Sequence, residues 1–228
     1  MLARRRFVAL SATAAAVVLA GCATTRSELS LPAPGSRSGP GGAGALPPLT
    51  GKVAVIRSVT DERVFEDKPS DPSTPSLGFG GASQATDEIK RRAFGRKRGG
   101  FGQAFGDVLL QEGQSVTSVV RDNLAAALRQ AGIQVVDAAS APPTALQIDV
   151  RVKAFWSWIN PGFWALTANG RIQTELDITG AAGTRRVAIE HHEPRQIMTE
   201  GAWLEVMGKA LELYRAEATK LLGPLASA

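Results

Sequence analysis

The sequence predicts an α+β domain in which one mixed sheet of about five strands carries two amphipathic helices on a single face. Three observations carry that expectation. A strand–helix–strand unit runs from Lys52 to Val136, two long segments with period-2 alternation follow Pro142-Pro143, and a helical apolar stripe closes the chain.

Lys52-Val53-Ala54-Val55-Ile56-Arg57 is a short apolar run suited to a buried strand. Val116, Val119, Val120, Leu124, Leu128 and Ala131 recur at helical spacing, with Ser115 as N-cap and Gly132 as C-terminal stop. Ile133 to Val136 reads as a second strand, parallel to the first. Beyond the prolines, Leu146, Ile148, Val150 and Val152 alternate with Gln147, Asp149, Arg151 and Lys153. Leu166, Ala168, Ile172, Leu176 and Ile178 alternate in the same way with polar neighbours. One face buried and one wet is the antiparallel pattern. Gly180 to Gly183 turns the chain into a further strand through Val187 and Ile189. A last helix runs from about Thr199 to Leu222 on the stripe Trp203, Met207, Leu211, Tyr214, Ala218 and Leu221, ended by Gly223-Pro224.

Between these elements, residues 61–113 show no sustained period and read as a long basic, glycine-rich insertion. A structureless stretch of that length is unusual inside a domain, so parts of it must dock. Phe101, Phe105, Val108 and Leu109 are the candidates.

Residues 1–21 have the form of an export signal: Arg4, Arg5 and Arg6, an apolar run from Phe7 to Ala20, then small residues. The run is shorter than the roughly 20 residues a spanning helix needs. Leu19-Ala20-Gly21-Cys22 resembles the lipobox of bacterial lipoproteins. That resemblance implies cleavage between Gly21 and Cys22 and acylation of Cys22, the only cysteine. Arg4-Arg5-Arg6-Phe7-Val8 also resembles the twin-arginine export pattern, so both export routes remain open. Residues 22–50, rich in Pro and Gly, read as a tether that spans about 30 Å as a flexible coil. The folded domain is expected over 51–228.

Lys and Arg total 26 against 21 Asp and Glu, but three of the arginines belong to the leader, so the remainder is close to neutral. A nucleic-acid partner is therefore not expected. With its one thiol acylated, the domain has no disulfide and folds on its core alone.

Three clusters are candidates for function. Lys90, Arg91, Arg92, Arg96, Lys97 and Arg98 form a cationic segment before a glycine hinge. It suits anionic headgroups, or it is a solvated loop that balances Asp61, Glu62, Glu66, Asp67 and Asp71. Trp156, Trp158, Phe163 and Trp164 surround an Asn-Pro-Gly turn between the two long strands. Aromatic anchors there either contact a partner or fold back over the sheet edge or under the insertion. His191 and His192 are adjacent in a strand and point to opposite faces, so they cannot share one metal ion. No G-x-S-x-G elbow, P-loop, H-E-x-x-H or free thiol is present. A non-enzymatic protein with no cofactor and no metal is expected.

The chain resembles the YajG-like group of small outer-membrane lipoproteins. The resemblance rests on the lipobox, on KVAVIRSVTDER, on GRKRGGFGQAFGDVLLQEGQSVTSVVRDNLAAALRQAGIQVV, on NPGFWALTANGRIQTELDIT and on the closing helix. It covers roughly residues 50 to 222 and implies location and fold more than mechanism. Ala23 after Cys22 resembles outer-membrane sorting. The expectation is a periplasmic domain, held to the outer membrane by its lipid, that binds an envelope protein or envelope polymer. The alternative is an auxiliary lipoprotein of a lipid or polysaccharide transport system.

Overall fold

Along the chain the elements are β1 (Ser27–Leu29), β2 (Val53–Asp61), α1 (Asp87–Arg92), β3 (Ala93–Arg98), β4 (Ala104–Leu110), α2 (Val116–Gln130), β5 (Gln134–Val135), β6 (Leu146–Pro161), β7 (Leu166–Ile178), β8 (Arg185–Arg195) and α3 (Glu200–Ser227). The structure is a computed structural model, and it describes residues 26–35, 46–77, 80–98, 104–162, 164–181 and 183–227. The mixed sheet is present, with eight strands and three α-helices among the described residues where the sequence predicts five and two.

β6 organises the sheet. Along one edge it pairs with β7 over most of its length, and β7 in turn pairs with β8, all antiparallel. Its other edge is shared. The first half, Leu146 to Val152, runs parallel to β2, which also takes β5 on its far side. The second half meets β3 at Ser157–Gly95, and β3 continues to β4 and β1. The sheet therefore forks at β6.

A β-bulge between Val152 and Ala154 sits at that fork. The extra residue reverses which side chains face inward. Ile148, Val150 and Val152 join the helix-side core before the bulge, and Phe155 and Ile159 join it afterwards. Ala154, Trp156 and Trp158 form a separate cluster with Phe65.

α2 and α3 pack against each other and against the sheet in one core that includes Phe94, Phe155, Trp203, Met207, Leu211 and Tyr214. α2 begins with a capping box: Ser115 Oγ accepts from the Ser118 amide at 3.1 Å and Ser118 Oγ accepts from the Ser115 amide at 3.0 Å. Gly132 ends it at φ +81°, where a Cβ would meet Pro48 O at 3.1 Å. Gly170 of β7 lets α3 approach closely, because a Cβ there would meet the Ala210 Cβ at 3.1 Å. α3 runs on through Pro224 to Ser227 instead of ending at Gly223-Pro224. So close to the terminus the proline removes only one hydrogen bond from the last turns.

Two further expectations are corrected. The 61–113 stretch holds α1, β3 and β4, and its Phe65, Leu77, Ala82 and Ile89 pack around Ala93 and Leu109 or beneath Trp156. The tether is also partly ordered: β1 pairs in parallel with β4, and Leu29 and Leu31 are buried in the main core. Three alternating residues are too few to show a period by eye, yet they complete an exposed sheet edge.

Candidate functional site

Arg63 lies two residues beyond the end of β2 and fills the fork. Its side chain is fully buried. Nε and Nη2 each donate to one carboxylate oxygen of Asp61 at 2.7 Å, a two-point pairing. Nη1 donates to Ala93 O at 2.6 Å and reaches Phe155 O at 3.4 Å, while Nη2 also donates to Lys90 O at 2.8 Å. The guanidinium thus caps carbonyls where β2 has ended and β3 is only beginning. Its faces lie against Phe65 and Trp156, at 5.1 and 4.6 Å from the ring centroids. Phe65 and Trp156 meet edge to face at 5.2 Å.

Outside this group opens a cleft of about 680 Å³, whose lining includes Asp61, Asp67, Ser83, Asp87, Lys90 and Arg91. Asp67 accepts from the Ser83 amide at 2.8 Å, and that backbone bond, with the Ser83 hydroxyl, holds its carboxyl below the usual range. The charge of Arg63 is matched by Asp61, so the cleft presents separate acidic and basic groups rather than one sign. Such a surface suits a polar or zwitterionic partner.

Arg171 repeats the theme one strand along. It lies 4.9 Å from the Trp158 ring centroid and pairs with Glu190 at 3.3 Å and Asp71 at 3.5 Å. Burial opposes ionisation of Asp71, but the Ser73 amide and Arg171 outweigh it and keep its carboxyl low. Nearer the β1 end, Ser27 Oγ accepts from Lys97 Nζ at 2.6 Å and donates to Glu200 Oε1 at 2.8 Å. Ile159, Met198 and Trp203 line a smaller space of about 250 Å³ beside this chain of polar groups. The latch ties β1 to β3 and to the start of α3.

The cationic segment is not a loop. Lys90, Arg91 and Arg92 lie on α1, and Arg96, Lys97 and Arg98 on β3. Arg92 is buried, donates to Leu110 O at 3.0 Å and pairs with Glu28 and Glu88 at 3.1 Å each. Arg91 pairs with Glu88, and with Lys90 it lines the cleft. Docking β1 alongside engages two of these cations within the fold, Arg92 with Glu28 and Lys97 with Ser27.

The aromatic cluster divides as well. Trp156 and Trp158 are buried under Arg63 and Arg171, whereas Trp164 is 85% exposed. Phe163, Gly21 and Cys22 lie outside the described residues. His191 Nε2 contacts Glu193 at 3.1 Å and His192 Nδ1 contacts Asn169 Oδ1 at 2.7 Å. Among the described residues no three His, Cys, Asp or Glu side chains are grouped to hold a metal ion.

Sequence reasoning passed over Arg63 and Ser27. The alternation Asp61-x-Arg63-x-Phe65 straight after a strand was the available signal for the first. Ser27 offers none, since its partners Lys97 and Glu200 are remote in sequence.

No family model matches the chain, and no curated protein does. Among solved structures, one of an uncharacterized protein is 11% identical, with 78% of this chain and 95% of that chain covered and a TM-score of 0.39. Another, a putative neuraminyllactose-binding hemagglutinin homolog from Helicobacter pylori, is 13% identical, with 81% and 92% covered and a TM-score of 0.34. Likeness at this level carries no argument about function.

Proposed function

We propose that this chain is a non-enzymatic lipoprotein of the outer membrane, acylated at Cys22, whose periplasmic domain binds an envelope protein or polymer. The observation that carries the reading is Leu19-Ala20-Gly21-Cys22 at the end of a basic and apolar leader. The YajG-like resemblance agrees with it. Within the domain, the mixed-charge cleft beside Arg63 is the surface offered to that partner. The binding reading is preferred to a transport component because the layer between helices and sheet is occupied by Phe155, Trp203, Met207, Leu211 and Tyr214, all buried. An acyl-chain carrier needs that space.

Metabolic labelling with radioactive palmitate tests the anchor. The wild-type chain should take up label and Cys22→Ser should not, remaining as an uncleaved precursor. Normal labelling of Cys22→Ser would overturn the assignment.

A further inference from the structure

We infer that the end of the domain carrying Trp164 and Ile197 rests on a phospholipid bilayer, so that the sheet stands upright on the membrane. The inference depends on the lipid anchor proposed above and adds an orientation to it.

The argument begins with chain direction. β1 runs parallel to β4, with Ser27 opposite Val108 and Leu29 opposite Leu110. β4 is antiparallel to β3, and β3 is parallel to β6. β1 therefore starts at the end of the sheet toward which β6 runs, where β6 turns into β7. Side chains agree: Ser27 and Ile159 share the lining of one small pocket with Met198 and Thr199. Arg26, paired with Asp107 at 3.3 Å, fixes the entry point.

Chain length supplies the second constraint. Cys22 precedes Arg26 by four residues. Fully extended, they reach at most about 14 Å. An acylated Cys22 thus holds this end of the domain close to the bilayer, not at the distance a flexible tether running to residue 50 would allow.

The same end exposes the side chains a membrane interface accepts. Trp164 is 85% exposed and Ile197 is 69% exposed. They are carried on adjacent strand ends, since Leu166 of β7 lies opposite Arg195 of β8. Trp favours the headgroup level, where its ring is half apolar and half wet. Leu46 and Leu49 are also exposed, but they precede β2 beside Gly132, at the opposite end of the sheet. β7 alone separates the two ends by about 40 Å at the usual rise of a strand. Only one of the two apolar pairs can reach the bilayer that holds Cys22.

The test uses the full acylated chain in vesicles of phosphatidylethanolamine and phosphatidylglycerol. Because Cys22 is the only cysteine, a single introduced thiol takes a nitroxide label uniquely once Cys22 is acylated. Labels at Asn160→Cys and Gln196→Cys, with Trp164 and Ile197 intact, should relax faster with oxygen than with a water-soluble nickel chelate. A label at Leu49→Cys should show the reverse. Adding Trp164→Ser and Ile197→Ser should abolish the oxygen preference at position 196. Water-like behaviour at 160 and 196, or lipid-like behaviour at 49, would overturn the orientation while leaving the anchor intact. Label uptake by Cys22 in the unsubstituted chain would overturn the anchor, and the orientation with it.

Discussion

The Arg63 guanidinium lies 4.6 Å from the ring centroid of Trp156, on the stretch of β6 between its pairing with β2 and its pairing with β3. Neither is replaceable in isolation. Removing Arg63 leaves Asp61 and the carbonyls of Lys90, Ala93 and Phe155 without this donor. Arg63→Ala should therefore destabilise the domain by about 3–5 kcal/mol, the usual cost of breaking one side of a buried pair. Denaturant unfolding of the domain measures it. A loss under about 1 kcal/mol, typical of an exposed pair, would refute the keystone role.

Trp156 and Trp158 have become part of the packing, so their replacement is a stability experiment. Changing both to Ser removes two large buried side chains, each worth roughly 3–5 kcal/mol on truncation. The thermal transition should collapse, while Trp164→Ser should leave it nearly unchanged. An unaltered transition in the double variant would mean that the pair is not core.

Much of this was legible in the residues. The Ser115 cap, the Gly132 stop and the alternation of β6 and β7 are local signals, and each element formed where its pattern put it. The bulge at Lys153 was not legible. Alternation continues on both sides of it, and only the pairing of Val152 with Thr174 and Ala154 with Gln173 reveals the slipped residue. That slip is why Trp156 and Trp158 leave the helix side and meet Arg63 and Arg171. The 61–113 stretch hid its strands for a similar reason. β3 reads AFGRKR, a cationic run by composition, and it becomes a strand because β4 and Ser27 supply partners from elsewhere. For the candidate site, the cleft residues Asp61, Asp67, Lys90 and Arg91 were visible as charges, but Arg63 between them was not.

β1 carries a separate test. Leu29 and Leu31 are 5% and 2% exposed, so each Leu→Ala change should cost about 2–5 kcal/mol. Thermal melts of the two variants check this against the alternative, a passive tether, for which neither change would matter.

Acid should weaken the contact between β8 and α3. Hydrogen bonds from His191, then Arg195, hold the Glu193 carboxyl below its ordinary value of 4.5. Arg195 also pairs with Glu205 of α3 at 2.6 Å. A depressed folded value means that the stabilisation is complete above 4.5 and fades as pH falls below it. The stability advantage of wild type over Glu193→Gln should shrink in that acid range. A constant difference down to the lowest pH would contradict the coupling.

Alkali acts on Tyr214, the only tyrosine. Burial pushes its phenol up to about 12, although the 3.1 Å bond with Thr174 works the other way. Folded chains should show no phenolate absorbance at pH 10, and stability should fall as pH rises from 10.0 to about 12, because only the unfolded chain ionises freely there. Spectrophotometric titration follows both. Phenolate at its ordinary pH in folded protein would contradict the burial.

The parallel pairing of Ser27–Leu29 with Val108–Leu110 also sets an order of events as the chain folds. The first strand in the sequence has no neighbour until residues 104–110 have arrived, and long-range pairings of this kind form late. Nearly half of the chain therefore precedes the completion of its partner strand, and β1 cannot take its place in the sheet before then. The fold itself thus works as a timer: the first strand in the sequence is among the last that the sheet can receive.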